Sequence, residues 1–162
     1  MIEYPFDFAT KIKVHKFGRM NYTVAYLPKQ LIVELPLKKY PRLRVEGEVN
    51  GYRFGGALHP AKGKWYVLLP KRTLKKLRLS IGDEVYIAFE IADQDAVDVP
   101  QALQHALAVN QTANSIWQTL TPGKQRSFAF RVSSAKRAET REHRIEEVLD
   151  AILNNRKTRR FR

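Results

Sequence analysis

The 162-residue chain carries 29 Lys and Arg against 16 Asp and Glu, a formal charge of +13, and contains no cysteine. A chain of this length buries roughly 70% of its unfolded surface, so it sustains a core without staples, and the missing thiols exclude disulfides and thiolate metal ligands. The basic excess is spread over both halves, +7 over residues 1–95 and +6 over residues 96–162; it attracts nucleic acid, anionic lipid or acidic partners at long range, or serves solubility alone.

Met1-Ile2-Glu3-Tyr4-Pro5 is not a basic leader ahead of an apolar run, and runs such as Val67-Leu68-Leu69-Pro70 fall far short of the roughly 18 residues a membrane span needs. A soluble, cytoplasmic protein without a membrane span is expected.

In chain order, Phe6 to Val14 alternates apolar and polar residues and predicts one half-buried strand. Tyr22 to Leu27 is a second run. Leu43 to Asn50 alternates again, with Val45 and Val49 on one face and Glu46 and Glu48 towards the other, and Gly51 marks a turn. Tyr52 to Leu58 and Lys64 to Leu69 flank Pro60-Ala61-Lys62-Gly63, a hairpin connection, and Gly82-Asp83 precedes a last strand from Glu84 to Ile91. About six short strands at this spacing predict a small barrel or sandwich. Within them Tyr26-Leu27-Pro28-Lys29 is echoed 42 residues later by Leu68-Leu69-Pro70-Lys71. Each copy reads strand, proline in the first turn of a short helix, strand, the unit from which pseudo-symmetric split barrels are built; chance similarity is the alternative.

From Asp98 the period changes to that of a helix. Asp98-Val99-Pro100 reads as an N-cap and first turn, followed by the stripe Leu103, Ala106 and Leu107. Ala113, Ile116, Trp117 and Leu120 make a second stripe. Thr121-Pro122-Gly123 breaks it and caps a third helix with Phe128 and Val132. The longest helix is predicted from about Ser133 to Asn155, its apolar stripe formed by Ile145, Val148, Leu149, Ile152 and Leu153. The polar stretch 93–97 is the expected linker. The predicted organisation is therefore a β-barrel over 1–95, a helical module over 98–155 and a disordered basic tail over 156–162.

Catalytic signatures are missing. There is no Gly-x-Ser-x-Gly elbow, and Gly63-Lys64 and Gly123-Lys124 lack the remainder of a phosphate loop. His15, His59, His105 and His143 stand singly, without metal-ligand spacing, and read as surface or boundary side chains. No catalytic residue, metal or cofactor is assigned. Cations are more suggestive: Lys136, Arg137, Arg141 and Arg144 recur within nine residues of the longest predicted helix, a stripe able to hold a phosphate or carboxylate. Interleaved Glu139 and Glu142 make a solvated face the competing explanation. The tail Arg156 to Arg162 holds five cations in seven residues with Phe161 available to stack on a base, and solubility explains it equally well.

Thr121-Pro122-Gly123-Lys124-Gln125-Arg126, followed by Ala135 to Ile145 and preceded by Val99-Pro100-x-x-Leu103, resembles the helical module of the bacterial YdeI/OmpD-associated, or bacteriocin-protection, family. Leu27-Pro28, Val49-Asn50-Gly51, Leu69-Pro70-Lys71 and Gly82-Asp83-x-Val85 resemble the β domain commonly fused in front of it. The resemblance implies an α+β protein, a split or swapped-hairpin barrel of AbrB/MraZ-like architecture followed by helices. By the motif it singles out Lys124, Arg126, Lys136, Glu139, Thr140, Arg141 and Arg144 as anion- or ligand-binding candidates, with helix capping and helix-to-helix ties as their architectural alternative. Arg131 departs from the apolar or aromatic pattern usual there, so packing of that helix is expected to differ.

The expected function is a non-enzymatic binding or stress-protection protein with an anionic or peptide partner, the family name pointing to resistance against antimicrobial peptides. Nucleic-acid binding by barrel and tail is the alternative and a small-molecule enzyme the lesser one; a deep pocket lined by Trp65, Tyr66 or the Arg141 helix is the observation that would separate them best.

Overall fold

Three two-residue reversals set the strand register in the computed structural model, which describes residues 3–154. Gly18-Arg19 joins β2 (Lys13–Phe17) to β3 (Met20–Tyr26), Asn50-Gly51 joins β4 (Arg44–Val49) to β5 (Tyr52–Ala61), and Lys62-Gly63 joins β5 to β6 (Lys64–Leu68). Asn50 and Gly51 have φ of 46° and 79°, Lys62 and Gly63 47° and 80°, the left-handed pairs that match the twist of a tight hairpin. The predicted four-residue connection thus shrinks to Lys62-Gly63, and Pro60 lies inside β5 opposite Trp65.

With β1 (Phe6–Lys11) and β7 (Glu84–Ile91), these strands form one antiparallel sheet in the order β1-β7-β4-β5-β6-β3-β2. The single strand predicted over Phe6 to Val14 is two. It breaks at Ile12, whose amide donates to Asp83 O at 2.9 Å and whose carbonyl accepts from Gly82 N at 2.9 Å. This bend carries the chain from one edge of the ladder to the other, so the sheet curls until its two edge strands are consecutive segments. The expected barrel-like α+β fold is present, with seven strands in place of about six.

The 42-residue echo is structural. Pairing of Ala25 with Val67 and of Gly47 with Phe89 joins positions 42 apart, so β3 lies antiparallel against β6, and β4 against β7, about a local two-fold. Leu27 N donates to Trp65 O at 2.8 Å, and Leu69 N to Thr23 O at 2.9 Å, the same bond in each copy. The short helices α1 (Lys29–Glu34) and α2 (Lys71–Leu77) follow Pro28 and Pro70. Both prolines sit one step earlier than predicted, at the N-cap with extended ψ of 152° and 143°, not in the first turn. Residues at period two fill the interior: Val85, Ile87 and Phe89 alternate with exposed Glu84, Tyr86 and Glu90. Each such buried side chain contributes about 1.5–3 kcal/mol relative to exposure.

The chain divides into two compact units, one ending at Gln94 and one beginning at Asp95. The second holds α3 (Gln101–Val109), α4 (Gln111–Thr119), α5 (Pro122–Ser133) and α6 (Ala138–Leu153). Asn110 and Thr121 cap α4 and α5, each accepting from the amide three residues on, and Pro122 opens α5 as expected. Asp98 does not cap α3. Pro100 takes the N-cap position, and the Gln104 amide reaches back to Val99 O. The long helix begins at Ala138, not Ser133, because residues 134–137 form the turn out of α5. Its stripe is Ile145, Val148, Leu149, Ala151 and Ile152, packed with Leu103, Trp117, Phe128 and Val132, whereas Leu153 is 42% exposed. The tail 156–162 and Asn155 lie outside the described residues.

Candidate functional site

The two hairpins β2–β3 and β5–β6 adjoin through the pairing of β3 with β6. Along β3 and β6 the side chains of Ala25, Leu27, Val67 and Leu69 enter the core, so Tyr22, Tyr26, Tyr66 and Leu68 fall on the opposite face. There they line a cleft of about 730 Å3 together with His15, Phe17 and His59. Its basic residues are Lys16, Arg42, Lys62 and Lys64, and no carboxylate lines it. Among the described residues these four cations have no carboxylate partner.

The rings form a connected set. Tyr66 packs against two imidazoles, His15 at 4.8 Å between centroids and His59 at 5.4 Å with an interplanar angle of 23°. Tyr26 meets both His15 and Tyr66 edge-on, and its hydroxyl shares a 2.7 Å hydrogen bond with His15 Nδ1. Lys64 Nζ lies 5.3 Å from the centre of the Tyr26 ring, a cation held by the ring face without neutralisation. Burial, helped by the Arg42 charge, lowers the His59 pKa and favours the neutral ring. Burial raises the Tyr66 phenol, with Tyr22 and Tyr26 adding to the rise.

The helical candidates do not converge. Lys124 and Arg126 lie in the first turns of α5, while Lys136, Glu139, Thr140, Arg141 and Arg144 gather around its other end, roughly 14 Å away at 1.5 Å per residue. Lys136 precedes α6 and Arg137 is its N-cap, so the cationic stripe predicted along a single helix is split by the turn. Arg144 donates to Arg131 O at 3.2 Å and Ser134 Oγ at 3.1 Å, and Arg141 reaches Ala135 O at 3.4 Å. Cations placed on the carbonyls that end a helix do architectural work. Arg126 similarly reaches Ala96 O at 3.1 Å. Lys124, Lys136 and Glu139 are exposed and Thr140 is half-buried. Arg131, the departure noted in the motif, donates through Nε and Nη2 to Glu147 Oε2 and ties α5 to α6. That bond holds the Glu147 carboxyl below its ordinary value.

Sequence reasoning named Tyr66 as a possible pocket position but missed the cleft around it, because His15 and His59, treated as isolated, are 44 residues apart and meet only through Tyr66. The 42-residue echo was the one available signal: it marks the two copies as equivalent, but does not say that their hairpins adjoin. Among the described residues no group of three His, Asp or Glu is placed to hold a metal ion.

A curled sheet with an internal two-fold and a basic aromatic cleft, joined to a separate four-helix unit, defines a two-module α+β protein. No described helix is long and apolar enough to cross a membrane. Residues 8–89 match the family model described as a domain of unknown function (DUF1905), and residues 96–155 match that described as bacteriocin-protection, YdeI or OmpD-associated. The chain belongs to the DUF1905 family, whose model spans about half of it, and behind that domain it carries a helical module that matches the YdeI/OmpD-associated model. It is similar to the uncharacterized protein YdeI of Bacillus subtilis (strain 168), 33% identical over 58 residues. That stretch is 36% of this chain and 29% of the relative, so the chain spans well under two thirds of that protein.

Proposed function

We propose that the protein is a non-enzymatic binding protein that captures an anionic partner in the cleft between the β2–β3 and β5–β6 hairpins. One observation carries this reading: four basic side chains line a concave site with no carboxylate among its lining residues. Such a lining focuses positive potential into the site and raises the local concentration of anions. The description of the matched family points to protection and names no reaction. Protection through this cleft acts by holding an anionic partner; a basic amphipathic peptide would meet repulsion there. The arginines at the end of α5 already donate to main-chain carbonyls, which favours the cleft over the helical candidates.

Titration calorimetry with tripolyphosphate in about 50 mM salt tests the reading, since a charge-driven site weakens with salt. Arg42→Glu with Lys64→Glu is expected to lower affinity at least about tenfold, while the matched reversal Lys75→Glu with Lys76→Glu on exposed α2 changes it less than about twofold. Equal losses in both variants, or no binding by the parent protein, refute it.

A further inference from the structure

The cleft is more than a basic patch, because its floor and walls are planar rings. Phosphate recognition alone needs donors and positive charge. It accounts for imidazole and phenol donors, but gives no reason for His15 and His59 to pack their rings on Tyr66, nor for Phe17 to be 70% exposed to water at the rim. Exposed rings interleaved with Lys and Arg are what a nucleobase with its phosphate requires: a flat face to stack on and cations within one nucleotide's reach. The volume of about 730 Å3 falls in the range of small-ligand sites. Stacking also needs a base that is not already paired in a duplex.

Resting on the anion-binding reading above, we infer that the cleft takes a nucleobase-bearing phosphate, its base stacked against the His15, Tyr66 and His59 rings and its phosphate held by Arg42, Lys62 and Lys64. Both copies of the internal repeat contribute, His15 and Tyr26 from the first, His59 and Tyr66 from the second, so the site exists only where the two hairpins meet. Burial and the Arg42 charge lower the His59 pKa and so favour its neutral ring, which suits a stacking role.

The test compares ligands that differ in one part, with the full chain at one fixed pH of about 8. Uridine monophosphate, ribose 5-phosphate and an eight-nucleotide oligouridylate are titrated calorimetrically, and the His15 and His59 ring protons are followed by NMR. The nucleotide is expected to bind at least about tenfold more tightly than ribose 5-phosphate and to shift both imidazole signals upfield, as ring stacking does. His59→Leu, which keeps bulk and removes the planar ring, is expected to bring nucleotide affinity down to the ribose 5-phosphate level and leave the latter unchanged; His15→Leu, on β2, serves in its place if that protein does not fold. Equal affinity for nucleotide and ribose 5-phosphate overturns the inference while the anion reading stands. Silence towards all three ligands and tripolyphosphate overturns both. Nucleotide binding that survives loss of either imidazole places the base elsewhere and overturns the inference. Given base-dependent binding, much tighter oligonucleotide binding identifies a single strand as the source, and equal binding identifies free nucleotide; either supports the shared chemistry.

Discussion

Replacing Gly47 by Ala places a methyl group where β4 and β7 approach most closely. A Cβ built there lies 2.0 Å from Ala88 O and 2.6 Å from Phe89 Cα. Both obstacles are main chain, so no side chain can swing aside. To restore even a 3.0 Å separation the strands must part by about 1 Å at the pair Gly47–Phe89, on the local two-fold axis. Overpacking costs about 1–3 kcal/mol, and each disrupted ladder bond adds about 1 kcal/mol, so a loss of at least ~2 kcal/mol is expected. At ~4–8 °C per kcal/mol for a unit of this size, the barrel melts ~8 °C or more lower. We propose that the two units unfold independently, so calorimetry of the full chain is expected to show one transition falling and the helical transition, followed by far-ultraviolet dichroism, unmoved. Gly55→Ala and Gly56→Ala, where a Cβ meets nothing within 4 Å, are the controls. A Gly47→Ala protein melting within about 4 °C of the parent refutes the close-approach argument, and one transition moving as a whole refutes independence.

Three further outcomes are expected in the helical unit. Arg144→Ala removes donors from Arg131 O and Ser134 Oγ at the end of α5 and lowers stability by about 1–2 kcal/mol in denaturant titration, without changing binding in the cleft. Thr121→Ala deletes the cap that accepts from Lys124 N and costs about 1 kcal/mol, with Thr121→Ser restoring most of it. The Glu147 pKa is depressed by Arg131, so its stabilisation is complete above the ordinary carboxylate pKa and is lost as pH falls through the depressed value. The difference in melting temperature between the parent and Glu147→Gln is therefore expected to be largest near neutrality and to shrink below about pH 4; a difference that grows in acid refutes the pairing argument.

Local periodicity alone located most elements. The alternation from Val45 to Val49, the segment Glu84 to Ile91 and the stripe through Val148 and Ile152 each report which side of an element is dry, and burial follows that pattern. Boundaries failed where tertiary contacts overrode it. Ile12 keeps the alternation of one strand, yet its bonds to Gly82 and Asp83 bend the chain there. Residues 134–137 carry helix-compatible side chains, yet they turn the chain from α5 into α6. Of the candidate positions, Arg141 and Arg144 were legible as cations close to one another, but their partners are carbonyls of the preceding helix and its turn, which spacing along one segment cannot show.

By itself the sequence determined an alternating β unit ahead of a helical one, the capped start of α5, and the twin strand-proline-helix segments, because these depend on neighbours a few residues apart. Tertiary structure alone decided that the twins face each other across a local two-fold. That antiparallel crossing brings His15 and His59 onto one ring and gathers four cations around it; adjacency of strands is a property of long-range pairing, and no local period encodes it.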